Sequence, residues 1–183
     1  MKQDFAMYKK FNISYDTNHF LELFHKSKLN PNRKVFVEAE GDLINDPEIS
    51  RLLDFFPFIY PDSQAVSLIQ LRKEMRPYIN EGNNGAIILP VWGTVAYSFY
   101  SYPGTMVNGR PTLPPDNGYD ESIIPEIKAT LVETVEVDRP MAFNGLVTHS
   151  YNLVGHTNPL YLLFKIPVGV EWATVEEALA AFN

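Results

Sequence analysis

The sequence predicts a mostly β protein with two facing antiparallel sheets and helices packed outside them, in the manner of a sandwich or jelly roll. Three observations carry that expectation. From residue 86 onward the hydrophobic period is two. It is clearest over 128–138, where Ala129, Leu131, Val135 and Val137 face one way and Lys128, Thr130, Thr134 and Glu136 the other. The segments of this kind are short and are joined by turn residues, at Gly145 and at Gly155-His156-Thr157-Asn158-Pro159. Composition agrees, since 10 Tyr, 12 Phe and 14 Pro in 183 residues suit strands and turns better than long helices.

Taken in order, Asp16, Thr17 and Asn18 offer caps for a short helix to about Ser27, with Phe20, Leu21, Leu23 and Phe24 turned to the core. Asn30-Pro31-Asn32 reads as a turn, and Val35, Phe36 and Val37 as a first strand. Asp46-Pro47-Glu48 starts a second helix that ends before Pro57, because proline at the first helical position loses no bond. Residues 63–76 read as the best helix, with Leu68, Leu71 and Met75 at three- and four-residue spacings and Pro77 as its stop. Residues 86–92 form an apolar run that suits a strand buried on both faces, with Pro90 marking an edge or bulge. In 94–100, Val95, Tyr97 and Phe99 share one face and Thr94, Ala96 and Ser98 the other. Residues 103–119, rich in Gly, Pro and Asn, predict an irregular loop over one barrel mouth. In the strand 128–138, Glu133 interrupts the apolar face. Three short strands follow, over 140–144, 148–154 and 160–166. Thr174 is the expected cap of a closing helix to about Phe182, with Glu177 as its reciprocal partner.

The chain fits one domain, 1–183. Within it, 1–82 is expected to be helix-rich and packed on the barrel, 83–170 to be the barrel core, and 171–183 a C-terminal helix. A net charge of −7, with no cluster of Lys and Arg, argues against nucleic acid and anionic membrane as partners. The absence of cysteine excludes disulfides, thiolate zinc sites and a cysteine nucleophile. Residues 1–12 contain Lys2, Asp4, Lys9 and Lys10 and no apolar core, unlike a signal peptide, and no apolar run could span a bilayer. An intracellular, cytoplasmic protein is therefore expected. No phosphate-binding glycine loop and no Gly-x-Ser-x-Gly elbow is present.

The four histidines can be weighed singly. His19 and His25 lie on the first helix, where a solvated surface explains them, and His156 lies in a polar turn. His149 shares a strand face with Tyr151 and Leu153, while Ser150 and Asn152 take the other face. A histidine in that setting is either a hydrogen-bonded core residue or the wall of a pocket.

The stretch Pro140-Met141-Ala142-Phe143-Asn144-Gly145-Leu146-Val147-Thr148-His149-Ser150-Tyr151-Asn152 and then 157–164 resembles the end of a double-stranded β-helix. It is similar to iron(II)/2-oxoglutarate oxygenases of the prolyl and aspartyl hydroxylase type and, more loosely, to cupins. Residues 84–90 leading into 97–100 resemble the strand pair that opens the same barrel. The resemblance covers the second half of the chain. It implies a jelly-roll fold in which His149 stands where a histidine completes an iron site.

The rest of that iron site has no counterpart. The look-alike oxygenases bind iron with a His-x-Asp or His-x-Glu pair plus the distal histidine. No histidine here is followed two positions later by Asp or Glu, and the segment where the pair is expected, between Tyr97 and Gly118, has none. A cation about ten residues beyond the distal histidine, needed for the co-substrate carboxylate, is replaced by Pro159 or Leu160. Lys165 faces opposite Leu162 and Phe164. The paired histidines of a cupin are missing too.

The resulting expectation is a β-helix module without oxygenase activity that binds a small molecule or a protein partner and needs no metal or cofactor. Its candidate pocket is lined by His149 and Tyr151, with Tyr97, Trp92 and Asn144 as neighbours. One alternative is an iron(II)/2-oxoglutarate oxygenase with atypical ligands, His149 with Glu133 and a third group from the loop. Another is a structural or assembly protein, phage-encoded among the candidates, that uses an edge strand as its interface and forms a homo-oligomer.

Overall fold

The computed structural model describes residues 6–30, 36–62, 64–78, 84–101, 106–107, 110–111, 130–155 and 158–182. The first part of the chain supplies β1 (Tyr8–Lys10), α1 (Thr17–Lys26), β2 (Lys28–Asn30), β3 (Phe36–Glu40) and α2 (Pro47–Leu53). The barrel strands follow: β4 (Val66–Leu71), β5 (Met75–Tyr78), β6 (Gly85–Trp92) and β7 (Val95–Ser101). After the two-residue strands β8 (Met106–Val107) and β9 (Arg110–Pro111) come β10 (Thr130–Glu136), β11 (Met141–Asn144), β12 (Thr148–Leu153) and β13 (Leu160–Ile166). Helix α3 (Trp172–Leu179) and a 3-10 turn at Ala180–Phe182 end the chain.

A seven-stranded sheet runs β1-β11-β6-β13-β4-β3-β2 and a four-stranded sheet β10-β7-β12-β5. All pairings in both are antiparallel. The pairings are nested: β4 with β13, β5 with β12, β6 with β11, and β7 with β10. A ribbon of two antiparallel halves has been wound so that successive strands fall in alternate sheets, which is the double-stranded β-helix or jelly roll. The two expected facing sheets are present.

The helix expected over 63–76 is not. Val66–Leu71 is β4, held between β13 and β3 in the large sheet, and Met75–Tyr78 is β5 in the small one. Val66, Ser67, Leu68, Ile69 and Leu71 are all buried, because both faces of β4 are covered. In so short a run, two-sided burial gives the same apolar spacings as a helical stripe. With β4 and β5 in place, the barrel opens on them, and β6 with β7 stands third and fourth rather than first. The stretch 1–82 thus contributes strands to both sheets as well as α1 and α2.

The other helices follow their caps. The Asp16 carboxylate accepts from the backbone N–H groups of Asn18 and His19, and that of Asp46 from Glu48 and Ile49 with Pro47 at the first turn. α3 begins three residues earlier than Thr174 predicts: Glu171 occupies the cap position and makes no side-chain bond there. The chain turns through Gly169 (φ 96°), which carries Val170 and Trp172 against the apolar layer below and fixes the helix start.

Pro90 does mark a bulge, since Leu160 and Tyr161 of β13 pair with Trp92 and Pro90 and skip Val91. A second bulge changes the expected faces of β10. Leu131 pairs with Tyr100 but Glu133 with Phe99, so Val132 is extra and Leu131 turns to the outer face while Glu133 and Val135 turn inward. Of the excursion 103–119, Met106 and Val107 pair with Pro111 and Arg110; the remainder of that expected loop lies outside the described residues.

Two apolar layers result. Between the large sheet and α1, α2 and α3 lie Phe20, Ile49, Leu52, Phe56, Leu68, Ile87, Leu89, Phe164, Val175 and Leu179. Between the two sheets lie Ile69, Leu71, Ile88, Tyr97, Phe99, Met141, Phe143, Tyr151 and Tyr161. Gly85 is a point of close approach: a Cβ there would collide with the Phe143 carbonyl oxygen, and its φ of 153° suits glycine.

Candidate functional site

The period of two in β7 and β12 builds the site. His149 stands directly opposite Phe99, and Tyr151 opposite Tyr97, all on the face turned to the large sheet. From the facing sheet β11 adds Phe143. The His149 ring lies 4.7 Å from Phe143, 6.2 Å from Tyr97 and 6.5 Å from Phe99, and Tyr97 lies 5.9 Å from Tyr151. His149 has 0% exposure, and Tyr97 and Tyr151 are buried with it.

The Nδ1 of His149 is 2.7 Å from the Val147 carbonyl. A carbonyl only accepts, so Nδ1 carries the proton and the neutral ring has its lone pair on Nε2. Burial pulls the imidazole pKa down to about 4, with the Val147 bond opposing the shift, so the ring is neutral near pH 7. The opposite face of the small sheet is polar, as Ser150 and Asn152 predict. There Ser98 and Thr134 hydroxyls lie 2.8 Å apart, Tyr100 and Ser150 3.0 Å, and the Asn152 amide reaches Ser98 at 3.5 Å.

The structure brings together His149, Tyr151 and Tyr97, and leaves Asn144 and Trp92 elsewhere. Asn144 is buried at the end of β11, where its side-chain oxygen accepts from the Leu146 N–H at 3.1 Å and shapes the turn into β12. Trp92 ends β6 and is 57% exposed. Glu133 is two strands from His149, with Phe99 between them in the row, and its carboxylate accepts from the Tyr8 hydroxyl at 2.9 Å. Among the described residues no three His, Asp or Glu side chains are grouped to hold a metal ion. His19 instead pairs with Asp46 at 2.9 Å, bracing α1 against the cap of α2.

Two further neighbours of His149, and one residue behind Phe99, complete the cluster. Phe99 was legible as part of the Val95, Tyr97, Phe99 stripe, and Phe143 as the aromatic before Asn144. Tyr8, stacked on Phe99 at 5.5 Å and 15°, carries no sequence signal, because only the pairing of β1 with β11 places it there.

No family model matches this sequence, and no curated protein matches it. Among solved structures, it is similar to a hydroquinone 1,2-dioxygenase in complex with Cd2+ and 4-hydroxybenzonitrile, at 11% identity and a TM-score of 0.40, over 92% of this chain and 88% of that one. It is also similar to L-ribose isomerase of Cellulomonas parahominis with L-psicose, at 11% identity and a TM-score of 0.34, over 70% of this chain and 58% of the isomerase. For a mutant L-ribose isomerase of Acinetobacter sp. DL28 with L-ribose the values are 12% identity and 0.31, over 70% and 56%. The fold of this chain rests on its own nested strand pairing, independently of these likenesses.

Proposed function

We propose that the chain is a double-stranded β-helix binding module without oxygenase activity, serving a small molecule or a protein partner. The observation that carries the reading is the burial of His149 at 0% exposure behind Phe143, Tyr97 and Phe99. An iron ligand of an oxygenase must face a cavity open to co-substrate and dioxygen; this imidazole faces rings. The sequence supports the same reading, since no histidine lies between His25 and His149 and none precedes an acidic residue by two positions. Divalent iron bound through one imidazole has little affinity or selectivity.

Anaerobic titration calorimetry with iron(II), then with 2-oxoglutarate, tests this directly. No saturable heat is expected from either. Stoichiometric iron in protein purified without a tag, together with 2-oxoglutarate turnover lost in both His149→Ala and the better-packed His149→Phe, would overturn it in favour of an oxygenase with atypical ligands.

A further inference from the structure

β10 differs from β6, β7, β11, β12 and β13 in its exposure. Its residues Thr130, Leu131, Val132, Glu133 and Thr134 are exposed on both faces, and Leu131 and Val132 are 55% and 56% in solvent. The strand lies at the end of the four-stranded sheet, paired with β7 on one side only among the described residues. Native edges are usually blunted by Lys, Pro or a bulge. Thr-Leu-Val-Glu-Thr-Val-Glu contains neither Lys nor Pro; it carries one bulge, at Val132, and one inward-turned charge, Glu133, yet Glu133–Glu136 stay in unbroken register with β7. Among the described residues this leaves Leu131 and Val132 beside a backbone edge that a further strand can join.

The charge of the edge selects the partner. Glu133 and Glu136 are exposed, and the Tyr8 hydroxyl bonded to Glu133 leaves its charge in place. Asp138, just beyond, is already neutralised by Lys10 at 2.5 Å. A second copy would set this acidic strand against itself in a chain of net charge −7, and like charges across a ladder destabilise it. We propose that β10 is a docking edge for an extended cationic peptide, which adds to the small sheet as a further strand. Backbone hydrogen bonds then provide affinity, Leu131 and Val132 apolar contact, and the two glutamates, three residues apart and on opposite faces of the strand, selection for Lys or Arg three positions apart. The inference builds on the reading of the chain as a binding module; the iron titration tests that reading and the peptide tests the edge, so the two can fail separately.

The experiment titrates the full chain with acetyl-Lys-Val-Thr-Lys-Val-Thr-Val-amide, whose two lysines match the spacing of Glu136 and Glu133, and with the same peptide carrying Glu for Lys. Saturable binding of the first only is expected, with slowed amide exchange across 130–136. Glu136→Lys should weaken binding about tenfold, and Val132→Pro, its fold checked by circular dichroism, should abolish it. Absence of saturable binding, or binding unchanged in Glu136→Lys, overturns the proposal. So does a concentration-dependent dimer that the peptide fails to dissociate, which would assign the edge to a second copy.

Discussion

The two faces of the seven-stranded sheet solve the same burial problem with different chemistry. On the outer face, under the helices, the fully packed apolar residues are Phe, Leu, Ile, Val and Ala, with Tyr15 and Trp172 partly buried against them. On the inner face lie its own Tyr161 and, from the small sheet, Tyr97, Tyr151 and His149, the last completely enclosed. Helices that bring only apolar side chains gain from simple area burial. The second sheet brings hydroxyl and imidazole groups that must find partners, as His149 does at the Val147 carbonyl. The outer layer therefore rests on apolar contact, and the inner layer also depends on satisfying the polar groups it encloses.

The largest expected effect lies outside. Phe56 is fully buried and joins the α2 region to the sheet, with its ring 5.3 Å from Phe164 and 6.0 Å from Phe11. Phe56→Ala should cost about 3–5 kcal/mol in urea unfolding, with no change in pH dependence. An equal loss from an inner-layer truncation that left outer truncations mild would reverse the comparison.

The inner layer should instead show itself through pH. With the His149 pKa drawn down to about 4 in the folded chain, the unfolded chain binds the extra proton first as pH falls below about 6.5. Stability contributed by this group is therefore intact above pH 6.5, is lost as pH falls toward 4, and changes no further below that. The loss amounts to about 3 kcal/mol across the window. Unfolding at pH 7.5 and at pH 5 should differ more for the native chain than for His149→Phe. Equal slopes would mean that the imidazole is open to water.

The smallest effect belongs to the seam between the two sheets. Tyr8 stacks on Phe99 and donates to Glu133, and burial together with that bond pushes its phenol pKa up. Tyr8→Phe keeps the ring and removes the bond, so a loss of about 1 kcal/mol is expected. A much larger loss would show that the seam, rather than the outer layer, holds the sheets together.

Much of this was legible in the residues. The alternation in β12 put Tyr151 on the face of His149, and that in β7 put Tyr97 on the face of Phe99, since a period of two needs no knowledge of the partner strand; the register of β7 with β12 then joins the two stripes. Alternation puts Asn144 on the face opposite Phe143, and Trp92 lies beyond the bulge at Val91, so neither follows His149 inward. Thr174 misled because an N-cap is a local preference worth about 1 kcal/mol, and the burial of Val170 and of Trp172 outweighs it.

By itself the sequence determined the β class, the capped starts of α1 and α2, the strands from β6 to β13 other than the paired β8 and β9, and the lack of a His-x-Asp or His-x-Glu pair. Each of these is a property of neighbours along the chain. Tertiary structure alone decided that 66–71 is a strand, that Leu131 faces outward and that Tyr8 closes the seam. In each case the deciding partner is remote: β13 for β4, β7 for the bulge at Val132, and β11 for β1. A short apolar run buried on both faces has no period that separates helix from strand, and a bulge reverses a face without changing a residue. Only the pairing resolves either one.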